Sequence, residues 1–464
     1  MYQIINEGLR HITESNESVI PNSTLYVRQI NHKWSLVINS FQNKLFLIEN
    51  ANIKHQKIIV PKSKAQDFFT PKINPNYFDK HFLYQNPPKK GNNSIYIALA
   101  ITYDCNLHCS YCFQQKFAGL RKVAITEQDL LKILQSVSSY QTDKNIQLGL
   151  FGGEPLLPQN EKLIDIVLSF CVRHKLFLDI TTNGVFLPYF AKKLIVYRSI
   201  ISVISITVNS LPDKYRQVIK ISKVANNVEK LLSVAKTLLD HGVRVDIGTN
   251  FDKTNIHQLQ EIHDYFQKNK YYERDNFSWN IGRVDDRFFD NDYDDYIISE
   301  TDILKELLKL VQPIPKQLHA GFIQTIKNIT DLFNLSFNEK QIKGTYNYCW
   351  NVSPYQQVCY VDNELNMFRC PVTVGRPNYI LGNLRSTSDS FNFSYPTQTF
   401  MNDPRCQNCK IGGFCSGGCK LSADTNFNKQ CHWERKEFDR FITEILVQEL
   451  LKMFPEVLNE TECF

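Results

Sequence analysis

The chain has 464 residues, of which 43% are hydrophobic and 22% are charged, and its formal net charge is +6. A chain of this length can bury several hydrophobic cores, and the composition is ordinary for a globular protein. The positive charge is spread along the chain without a long basic block, which argues against a nucleic-acid partner. Residues 1–16 are polar and no apolar run is long enough to cross a bilayer, so we expect a cytoplasmic protein without a signal peptide or membrane partner.

The opening segment, residues 1–90, is predicted to be a small strand-rich domain. Residues 24–28, 34–38 and 45–48 alternate between apolar and polar side chains, as short strands do. Residues 87–92 are rich in Pro, Lys and Gly and predict a linker to the next domain.

Residues 94–296 alternate between strand-like runs and helical patterns. Thr126 and Asp129 can cap a helix, and Cys171 lies on the apolar face of another, where we expect it to fill the core. Six strands that alternate with helices predict an α/β fold in which a parallel sheet curls into a partial (β/α)6 barrel resembling a TIM barrel. The six strand-like runs are residues 95–102, 146–151, 177–181, 201–208, 243–249 and 277–283.

The remainder of the chain divides into two predicted parts. Residues 297–344 form a connector, in which 297–335 carry a helical pattern. Residues 345–464 are loop-rich and dense in cysteine, and we expect them to end in a helix around residues 435–453.

The thirteen cysteines are clustered, with three in residues 105–112 and eight in residues 349–431. Disulfide frameworks are typical of short secreted chains, so the clusters indicate metal ligands instead. The first cluster, Cys105, Cys109 and Cys112, has the spacing CxxxCxxC directly after the first predicted barrel strand. Three thiolates on one tight loop can hold three irons of a [4Fe–4S] cube and leave the fourth iron open. A structural zinc site would need a second cysteine pair or a suitably spaced histidine.

This cysteine loop at the start of a partial barrel resembles the radical S-adenosylmethionine (SAM) superfamily. The resemblance implies that the amino and carboxylate groups of SAM chelate the open iron. It also implies that one-electron reduction then yields a 5′-deoxyadenosyl radical, chemistry that the cofactors supply and the protein positions.

The same resemblance implies a set of SAM contacts. Gly152, Gly153 and Glu154 match the motif that holds the SAM amino group, because glycines let the backbone approach and a carboxylate suits an ammonium. Tyr111 matches an aromatic residue beside the adenine, and Asn183 lies in a Thr-Asn-Gly turn after the third strand. Ser205 and Arg216 match residues at the ribose and carboxylate, although the usual Ser-x-Asp-Gly stands here as Ser205-Ile206-Thr207-Val208.

The second cysteine field resembles the SPASM extension, an iron–sulfur domain of radical SAM enzymes that act on peptides and proteins. Carried over residue by residue, the resemblance implies two auxiliary [4Fe–4S] clusters, and therefore three clusters in total. Cys359 is either a fourth ligand of the proximal cluster or a buried thiol, and Leu365 replaces a glycine five positions before Cys370. The implied ligands are Cys406, Cys409, Cys415 and Cys431 for the distal cluster, and Cys349, Cys370 and Cys419 for the proximal one.

The resemblance favours a maturase that crosslinks a ribosomally synthesised precursor peptide through a thioether or carbon–carbon bond. Its implied partners are the precursor with its leader and an electron donor such as flavodoxin or ferredoxin. Strands in residues 1–90 offer an edge on which the leader can add a strand. One alternative is a sulfatase-maturase-like enzyme that forms formylglycine, but that family has an aspartate base where Pro371 stands here. Another is a catalytically inactive peptide-binding scaffold.

Overall fold

The structure, a computed structural model, describes most of the chain. Arg216, Cys349 and the predicted linker at residues 87–92 lie outside the described residues. The described ranges are 1–5, 8–12, 16–21, 23–42, 44–54, 57–68, 94–109, 111–114, 124–140, 145–211, 228–284, 297–310, 315–320, 356–386, 391–393, 404–415 and 417–458.

The opening segment folds into two antiparallel sheets. The larger has the strand order β2-β1-β6-β5-β4 and the smaller has the order β3-β8-β7. The predicted strands at residues 24–28, 34–38 and 45–48 are confirmed as β4, β5 and β6. The bounds are β1 (Tyr2–Ile5), β2 (Gly8–His11), β3 (Glu17–Pro21), β4 (Tyr26–Gln29), β5 (Trp34–Asn39), β6 (Lys44–Glu49), β7 (Ile53–Lys54) and β8 (Lys57–Pro61).

Strand β5 is buried on both faces because its alternate side chains enter two different cores. Val37 packs between the two N-terminal sheets, where a helix at Ala65–Phe68 closes the core. Trp34, Leu36 and Ile38 point the other way and pack against helices from the end of the chain. The N-terminal sheet is therefore joined to the C-terminal region by a shared hydrophobic core.

The large sheet contains the predicted barrel strands. Strands β9 to β14 are neighbours in chain order and run parallel, and a helix lies between each strand and the next in sequence. This confirms the predicted parallel (β/α) arrangement. The strands are β9 (Ser94–Ala100), β10 (Asn145–Phe151), β11 (Phe177–Thr182), β12 (Ile201–Thr207), β13 (Val245–Phe251) and β14 (Phe277–Arg283); the helices are Glu127–Tyr140, Glu161–His174, Leu187–Val196, Val228–Asp240 and Leu259–Lys268.

The two faces of the barrel strands differ in the polarity of their side chains. On β11, Leu178 and Ile180 are buried in the core beneath the helices, whereas Asp179 and Thr181 line a cavity on the inner face. The helices supply the other half of that core, which includes Cys171, as predicted. The Asp129 N–H donates to the Thr126 hydroxyl oxygen at 3.0 Å, which is the predicted helix cap.

The sheet extends beyond the barrel strands at both edges. Strand β15 (Leu318–Ala320) pairs parallel with β14, in a segment whose pattern predicted helix. The helix Glu300–Leu308 confirms that prediction, but for β15 it is wrong. The Trp279 N–H donates to the Gln317 carbonyl at 2.8 Å, and this hydrogen bond helps to join β15 to the sheet. At the other edge β16 pairs parallel with β9 and begins a hairpin. Its strands are β16 (Gln356–Val361), β17 (Asn366–Phe368) and β18 (Gly382–Asn383).

The C-terminal helix is longer than predicted. Its helical segment begins at Lys420 rather than near residue 435, and Asn426 (φ -154°, ψ 81°) divides it into two helices at a kink. The second helix runs to Phe441 and continues through a π-helical turn at Ile442–Leu446 into Val447–Met453. Polar residues dominate its first turns, so hydrophobic periodicity could not reveal the start. Short helices are present at Pro404–Gln407, Gly412–Cys415 and Pro455–Leu458. Across the described ranges, every helix is too short or too polar to cross a membrane.

Candidate functional site

The loop after β9 carries three cysteines that face one cavity. Cys105, Cys109 and Cys112 line this barrel cavity, whose volume is about 570 Å³. The Cys112 N–H donates to the Cys109 carbonyl at 3.1 Å, and the N–H of the buried Leu107 donates to the Cys105 sulfur at 3.4 Å. The structure therefore brings together the three cysteines that the spacing selects. The cavity is also lined by Tyr96, Tyr103, Leu107, Phe113, Gln114, Gln147, Phe151, Gly152, Gly153, Asp179, Thr181, Val358, Tyr360 and Pro371.

The glycine pair after β10 packs directly against the start of the cysteine loop. Gly152 has a φ of +119°, and a Cβ there would lie 2.7 Å from the Thr102 carbonyl oxygen. A Cβ on Gly153 would lie 2.6 Å from the Tyr103 carbonyl oxygen. The Gly153 N–H donates to Thr102 at 2.9 Å. Only glycine fits this contact without displacing the cysteine loop, and both glycines line the cavity as expected for a close ligand approach.

The Glu154 side chain is held by hydrogen bonds from neighbouring turns of the barrel. Its side chain is 1% exposed, and one carboxylate oxygen accepts hydrogen bonds from the Thr182 hydroxyl at 2.6 Å and the Leu156 N–H at 2.9 Å. The other oxygen accepts from the Asn183 N–H at 2.6 Å. The carboxylate therefore fixes the Thr-Asn-Gly turn beside the glycine pair. The contact of Glu154 with the SAM amino group stays a prediction.

Asn183 connects that turn to the cysteine loop. Its side-chain amide donates to Asn106 Oδ1 at 2.9 Å and lies 3.6 Å from the Cys105 sulfur. Its own side-chain oxygen accepts from the Val185 N–H at 3.0 Å, which keeps the amide nitrogen directed at the loop. The turn thus places a hydrogen-bond donor beside a predicted cluster ligand.

Tyr111 and Ser205 approach the site from different elements. The Tyr111 hydroxyl accepts a short hydrogen bond from the side-chain amide of the buried Asn209, just beyond β12. Asn209 in turn accepts from the Asn250 N–H at 3.0 Å, which ties the cysteine loop to β13. Ser205 lies on β12 in register with Thr181, a residue that lines the cavity. Neither Tyr111 nor Ser205 itself is among the described residues that line the cavity, and both stay predicted SAM contacts.

The donor groups around the cysteines suit an anionic cluster. Burial raises the pKa of the Cys105 thiol to about 12, and the Glu154 carboxylate acts in the same direction. Ligation must remove that proton, because iron binds thiolate. Asn106 Nδ2 and Gln114 Nε2 are buried and have no hydrogen-bond partner among the described residues. Hydrogen bonds to the sulfurs are among the interactions that tune such clusters.

The cysteines do not converge as they would on one metal ion. Within the described ranges, no three His, Cys, Asp or Glu side chains are arranged to hold a single metal. A [4Fe–4S] cube takes one cysteine for each iron, so its ligands surround a cluster instead. The three cysteines at the mouth of one cavity fit the cube better than a zinc ion.

A second, smaller cavity is lined by the four cysteines that the SPASM resemblance implies for the distal cluster. Arg405 and Arg435 also line this four-cysteine cavity, and the Arg435 guanidinium lies 3.8 Å from the Cys409 sulfur. Burial raises the pKa of Cys415 and that of Cys431, and Glu434 in the same cavity acts in the same direction, whereas Arg435 and Arg405 lower the pKa of Cys431. The four cysteines are Cys406, Cys409, Cys415 and Cys431.

The cysteines implied for the proximal cluster are not brought into this cavity. Cys419 directly precedes the helix Lys420–Phe441 and is absent from the lining of the four-cysteine cavity. Cys370 follows the hairpin strand β17 and is next to Pro371, which lines the barrel cavity. Cys349 lies outside the described residues, so the assembly of the proximal site is not described.

Cys359 lies in the hydrophobic core and faces away from the barrel cavity. It pairs with Ile97 across β16 and β9 and is fully buried in the core beneath the helices. Its neighbours Val358 and Tyr360 point to the opposite face and line the cavity. Burial raises the pKa of Cys359 to about 12. The structure therefore favours the buried thiol over the fourth ligand.

Leu365 occupies a backbone position that suits glycine. It lies in the turn between β16 and β17 with a φ of +67°, in the left-handed region. This conformation costs a non-glycine residue about 1–2 kcal/mol. The side chain is fully buried, which contributes about 1.5–3 kcal/mol in return. The hairpin thus keeps its turn although the glycine of the family is replaced.

Sequence reasoning did not select the polar residues on the inner face of the barrel. Tyr96, Gln147 and Asp179 line the cavity below the cysteine loop, and Gln114 lines it beside the loop. A usable signal was present on β11, where a lone aspartate stands between Leu178 and Ile180. A charged residue in an otherwise apolar barrel strand is costly unless its inner face meets a cavity.

The N-terminal sheet supports the four-cysteine cavity from outside. The Ser40 hydroxyl donates to the Lys410 carbonyl at 3.0 Å and accepts from the Gly413 N–H at 3.2 Å. A Cβ on Gly413 would lie 2.7 Å from Phe41 Cα. The turn between β5 and β6 is therefore packed against the segment that carries Cys409 and Cys415.

Comparison with known proteins identifies the barrel. Residues 99–266 match the Radical SAM superfamily. The chain is an enzyme with a radical SAM domain. SAM and the iron–sulfur cluster of this superfamily are accordingly its cofactors.

Individual relatives of this radical SAM enzyme are distant. The cysteine-type anaerobic sulfatase-maturating enzyme of Clostridium novyi (strain NT) is 22% identical over 340 residues, which cover 70% of this chain and 87% of the relative. The radical SAM cyclopropyl synthase TigE of Paramaledivibacter caminithermalis is 20% identical over 395 residues, which cover 77% of this chain and 74% of the relative. Streptococcus suis SuiB, solved with its precursor peptide SuiA, superposes with a TM-score of 0.52 at 13% identity. That match covers 88% of this chain and 97% of SuiB, and it shows a common fold.

Proposed function

We propose that this radical SAM enzyme is a SPASM-type maturase that modifies a ribosomally synthesised precursor peptide. Hydrogen abstraction from a side chain would lead to a thioether or carbon–carbon crosslink. The observation that carries the proposal is the barrel cavity, which continues from the three cysteines to Gln147 and Asp179 on the inner face of the sheet. It offers a substrate side chain a place beside the cofactor site. The likeness in fold to SuiB, a protein solved with a precursor peptide, supports this choice.

In the proposed cofactor site, each residue has a separate role. When bound, the cluster and SAM together supply a carbon-centred radical that abstracts hydrogen. Cys105, Cys109 and Cys112 would hold the cluster, and the backbone of Gly152 and Gly153 would contact the SAM amino group. Tyr111, Glu154, Asn183, Ser205 and Arg216 stay proposed SAM contacts, and the Glu154 carboxylate also orients the turn that carries Asn183. The walls of the cavity exclude water from the reacting groups.

The remaining parts of the chain complete the proposed architecture. Residues 94–296 are the barrel domain, residues 297–344 the connector and residues 345–464 the SPASM domain. The convergence of four cysteines and two arginines on one cavity supports a distal auxiliary cluster. Cys349, Cys370 and Cys419 stay the proposed ligands of the proximal cluster. Reducing electrons would come from a flavodoxin or ferredoxin.

The decisive test of the proposal is a peptide mass measurement. The reconstituted enzyme is incubated without oxygen with SAM, a reductant and the small peptide encoded beside its gene. We expect the peptide to lose two hydrogen atoms as a crosslink closes, and fragmentation to locate the joined residues. Steady formation of 5′-deoxyadenosine with every such peptide unchanged in mass would contradict the proposal.

The N-terminal domain, residues 1–90, is the proposed docking site for the leader. Strand β3 is at the edge of its sheet, where it pairs with β8 on one side. Val19 on this strand is 59% exposed, which offers an apolar contact to an added strand. Complete removal of this domain is a poor test, because Trp34 and its neighbours form the core shared with the C-terminal helices.

A single substitution on the edge strand tests leader docking more cleanly. We expect Val19→Asp to weaken leader binding at least about tenfold, because a charge would have to be desolvated beneath the added strand. Proline substitutions in the bound part of the leader should also weaken it, since proline cannot donate to the ladder. Calorimetric titration of the leader measures both effects.

The matched control is Val196→Asp, at a residue that is 72% exposed on a barrel helix. It should bind the leader as the unmodified enzyme does. Equal binding by Val19→Asp and Val196→Asp would rule out β3 as the docking edge.

A sulfatase-maturase-like enzyme is the second candidate, because the relative from Clostridium novyi covers most of this chain. Position 371 lines the barrel cavity and is proline, so no carboxylate base stands there. Incubation with a sulfatase-derived peptide and a hydrazide probe for the aldehyde separates the two candidates. Aldehyde formation would favour the sulfatase-maturase-like activity over the crosslink.

The inactive-scaffold hypothesis is wrong, since the chain is an enzyme.

A further inference from the structure

The part of the barrel cavity lined by Tyr96, Gln147 and Asp179 is called its floor. Several inward-facing positions beside it are small. Gly149 on β10 faces Tyr96 so closely that a Cβ would lie 2.8 Å from the phenol ring carbon that carries the hydroxyl. Ala98 and Ala100 lie on the same face of β9 and are also short. Barrel interiors are usually filled by branched side chains. Small residues here leave room below the cysteine loop and let the Tyr96 ring cross β10.

Asp179 is the charged group of this cavity. Among the described residues that line the cavity, Asp179 is the one carboxylate, and Lys, Arg and His are absent from that lining. Its Oδ1 atom accepts a hydrogen bond from the Gln147 side-chain amide at 2.6 Å, and Ser202 is a second neutral partner. Within the described ranges it makes no ion pair with a lysine or arginine at 4.0 Å or less. Its negative charge is therefore poorly compensated.

The surroundings of Asp179 favour a cation over further negative charge. Burial raises the pKa of Asp179, the nearby Asp246 raises it further, and Arg244 acts in the opposite direction. Arg244 lies 3.7 Å from Asp246, and Ser278 donates a short hydrogen bond to the same carboxylate. Asp246 is thus compensated by its own partners and is absent from the cavity lining, whereas Asp179 faces the cavity.

Three aromatic residues line the same cavity as Asp179, and the Asp179 carboxylate is close enough to Tyr96 to raise the pKa of its phenol further above the value that burial sets. Tyr360 lies edge-on to Phe151 with ring centroids 5.2 Å apart, and edge-on to Tyr96 with centroids 6.4 Å apart. All three residues line the cavity. Aromatic faces attract ammonium and guanidinium groups, and the attraction increases when the cation is removed from water. A half-buried carboxylate in a cavity that aromatic residues also line is the chemistry that selects an organic cation.

We propose that the floor of the barrel cavity is a subsite for the cationic side chain of a lysine or arginine in the substrate peptide, bound by Asp179 and the surrounding aromatic rings. The subsite rests on the proposed peptide-modifying function and specifies which residue class the peptide presents beside the reacting position. Asp179 is a specificity-determining residue in this arrangement.

The test is the binding of small probes to the reconstituted enzyme with SAM present. The probes are N-acetyl-lysine amide and N-acetyl-arginine amide, with N-acetyl-norleucine amide as the neutral analogue, and saturation-transfer NMR measures their affinities. We expect the unmodified enzyme to bind a cationic probe at least about tenfold more tightly than the neutral one. Asp179→Asn should remove that preference by a similar factor, because the remaining oxygen keeps the Gln147 contact without the charge.

Two further variants make the result specific. Asp246→Asn removes a neighbouring carboxylate outside the cavity lining, and it should keep the preference for the cationic probe. Gln147→Leu removes a neutral donor that competes for Asp179, and it should bind the cationic probe at least as tightly. Melting temperatures are measured for each variant, and Gln147→Leu still tests the subsite if Asp179→Asn fails to fold.

Several outcomes would overturn the subsite. The first is equal affinity of the unmodified enzyme for the cationic and neutral probes. The second is a reduced affinity of Asp179→Asn for SAM itself, because the carboxylate would then bind the SAM cation. Modification of a peptide with unselective probe binding overturns the subsite and leaves the proposed function intact. Probe selectivity that depends on Asp179, without modification of any peptide, keeps the cation site and contradicts the peptide substrate.

Discussion

Replacement of Cys105, Cys109 and Cys112 by alanine is expected to abolish 5′-deoxyadenosine formation. The three thiols line the barrel cavity beside Gly152 and Gly153, so their removal leaves no iron at which SAM can bind. With three clusters, the unmodified chain should hold about twelve irons after reconstitution and the triple variant about eight, since each cube contains four. Iron analysis and chromatography of the nucleoside product, both without oxygen, measure the two effects.

The matched control is Cys171→Ala, which makes the same chemical change in the apolar core beneath the helices. It should cost about 1 kcal/mol of unfolding free energy while iron content and SAM cleavage persist. Continued SAM cleavage by the triple variant would show that the radical site lies elsewhere. Only one cluster's worth of iron in the unmodified chain would contradict the two auxiliary clusters.

Gly153→Ala is expected to reduce SAM cleavage at least about a hundredfold while the cysteines stay in place. The added methyl group would overlap the backbone of Tyr103 and Asp104, so the start of the cysteine loop must move. A displacement of about 1 Å at a positioning contact can reduce a rate about a hundredfold. Single-turnover formation of 5′-deoxyadenosine measures the loss, and iron content reports whether the cluster is still bound.

Gly248→Ala controls for adding a methyl group to a barrel strand. A Cβ there would have its nearest neighbour, the Ile206 carbonyl oxygen, at 3.9 Å, which is an ordinary contact. Its cleavage rate should stay within about twofold of the unmodified enzyme, as expected for a substitution without overlap. If Gly153→Ala cleaves SAM as fast as Gly248→Ala, close packing of the glycine turn is not needed for catalysis.

The barrel strands could be predicted because each is an apolar run of ordinary length between helical patterns. The prediction for the last barrel strand even matches its bounds, Phe277–Arg283, while β13 begins two residues later than the pattern suggested. Strand β15 could not be found in the same way, since three residues show no periodicity. Its strand character depends on the hydrogen bond from Trp279, a residue distant in sequence.

Cysteine and glycine motifs revealed much of the candidate site, because their spacing is set by local geometry. The hydrogen bonds of Glu154 could not be predicted, since its partners Thr182 and Asn183 belong to the next turn of the barrel. Asp179 was missed for a related reason, because the inner face of a strand is defined only when its neighbours are in register. Contacts between segments that are distant in sequence therefore determine the parts of the candidate site that local motifs cannot predict.

The core shared by the two ends of the chain has a consequence for how the protein is made. Trp34, Leu36 and Ile38 are synthesised early, but the helices that cover them lie between Lys420 and Leu458. During translation this apolar face therefore stays uncovered by these helices until residues 420–458 have also left the ribosome. Such contacts slow folding and expose the nascent chain to aggregation. We expect chaperone supply to influence the yield of full-length enzyme, and C-terminal truncations to be recovered mainly as aggregates.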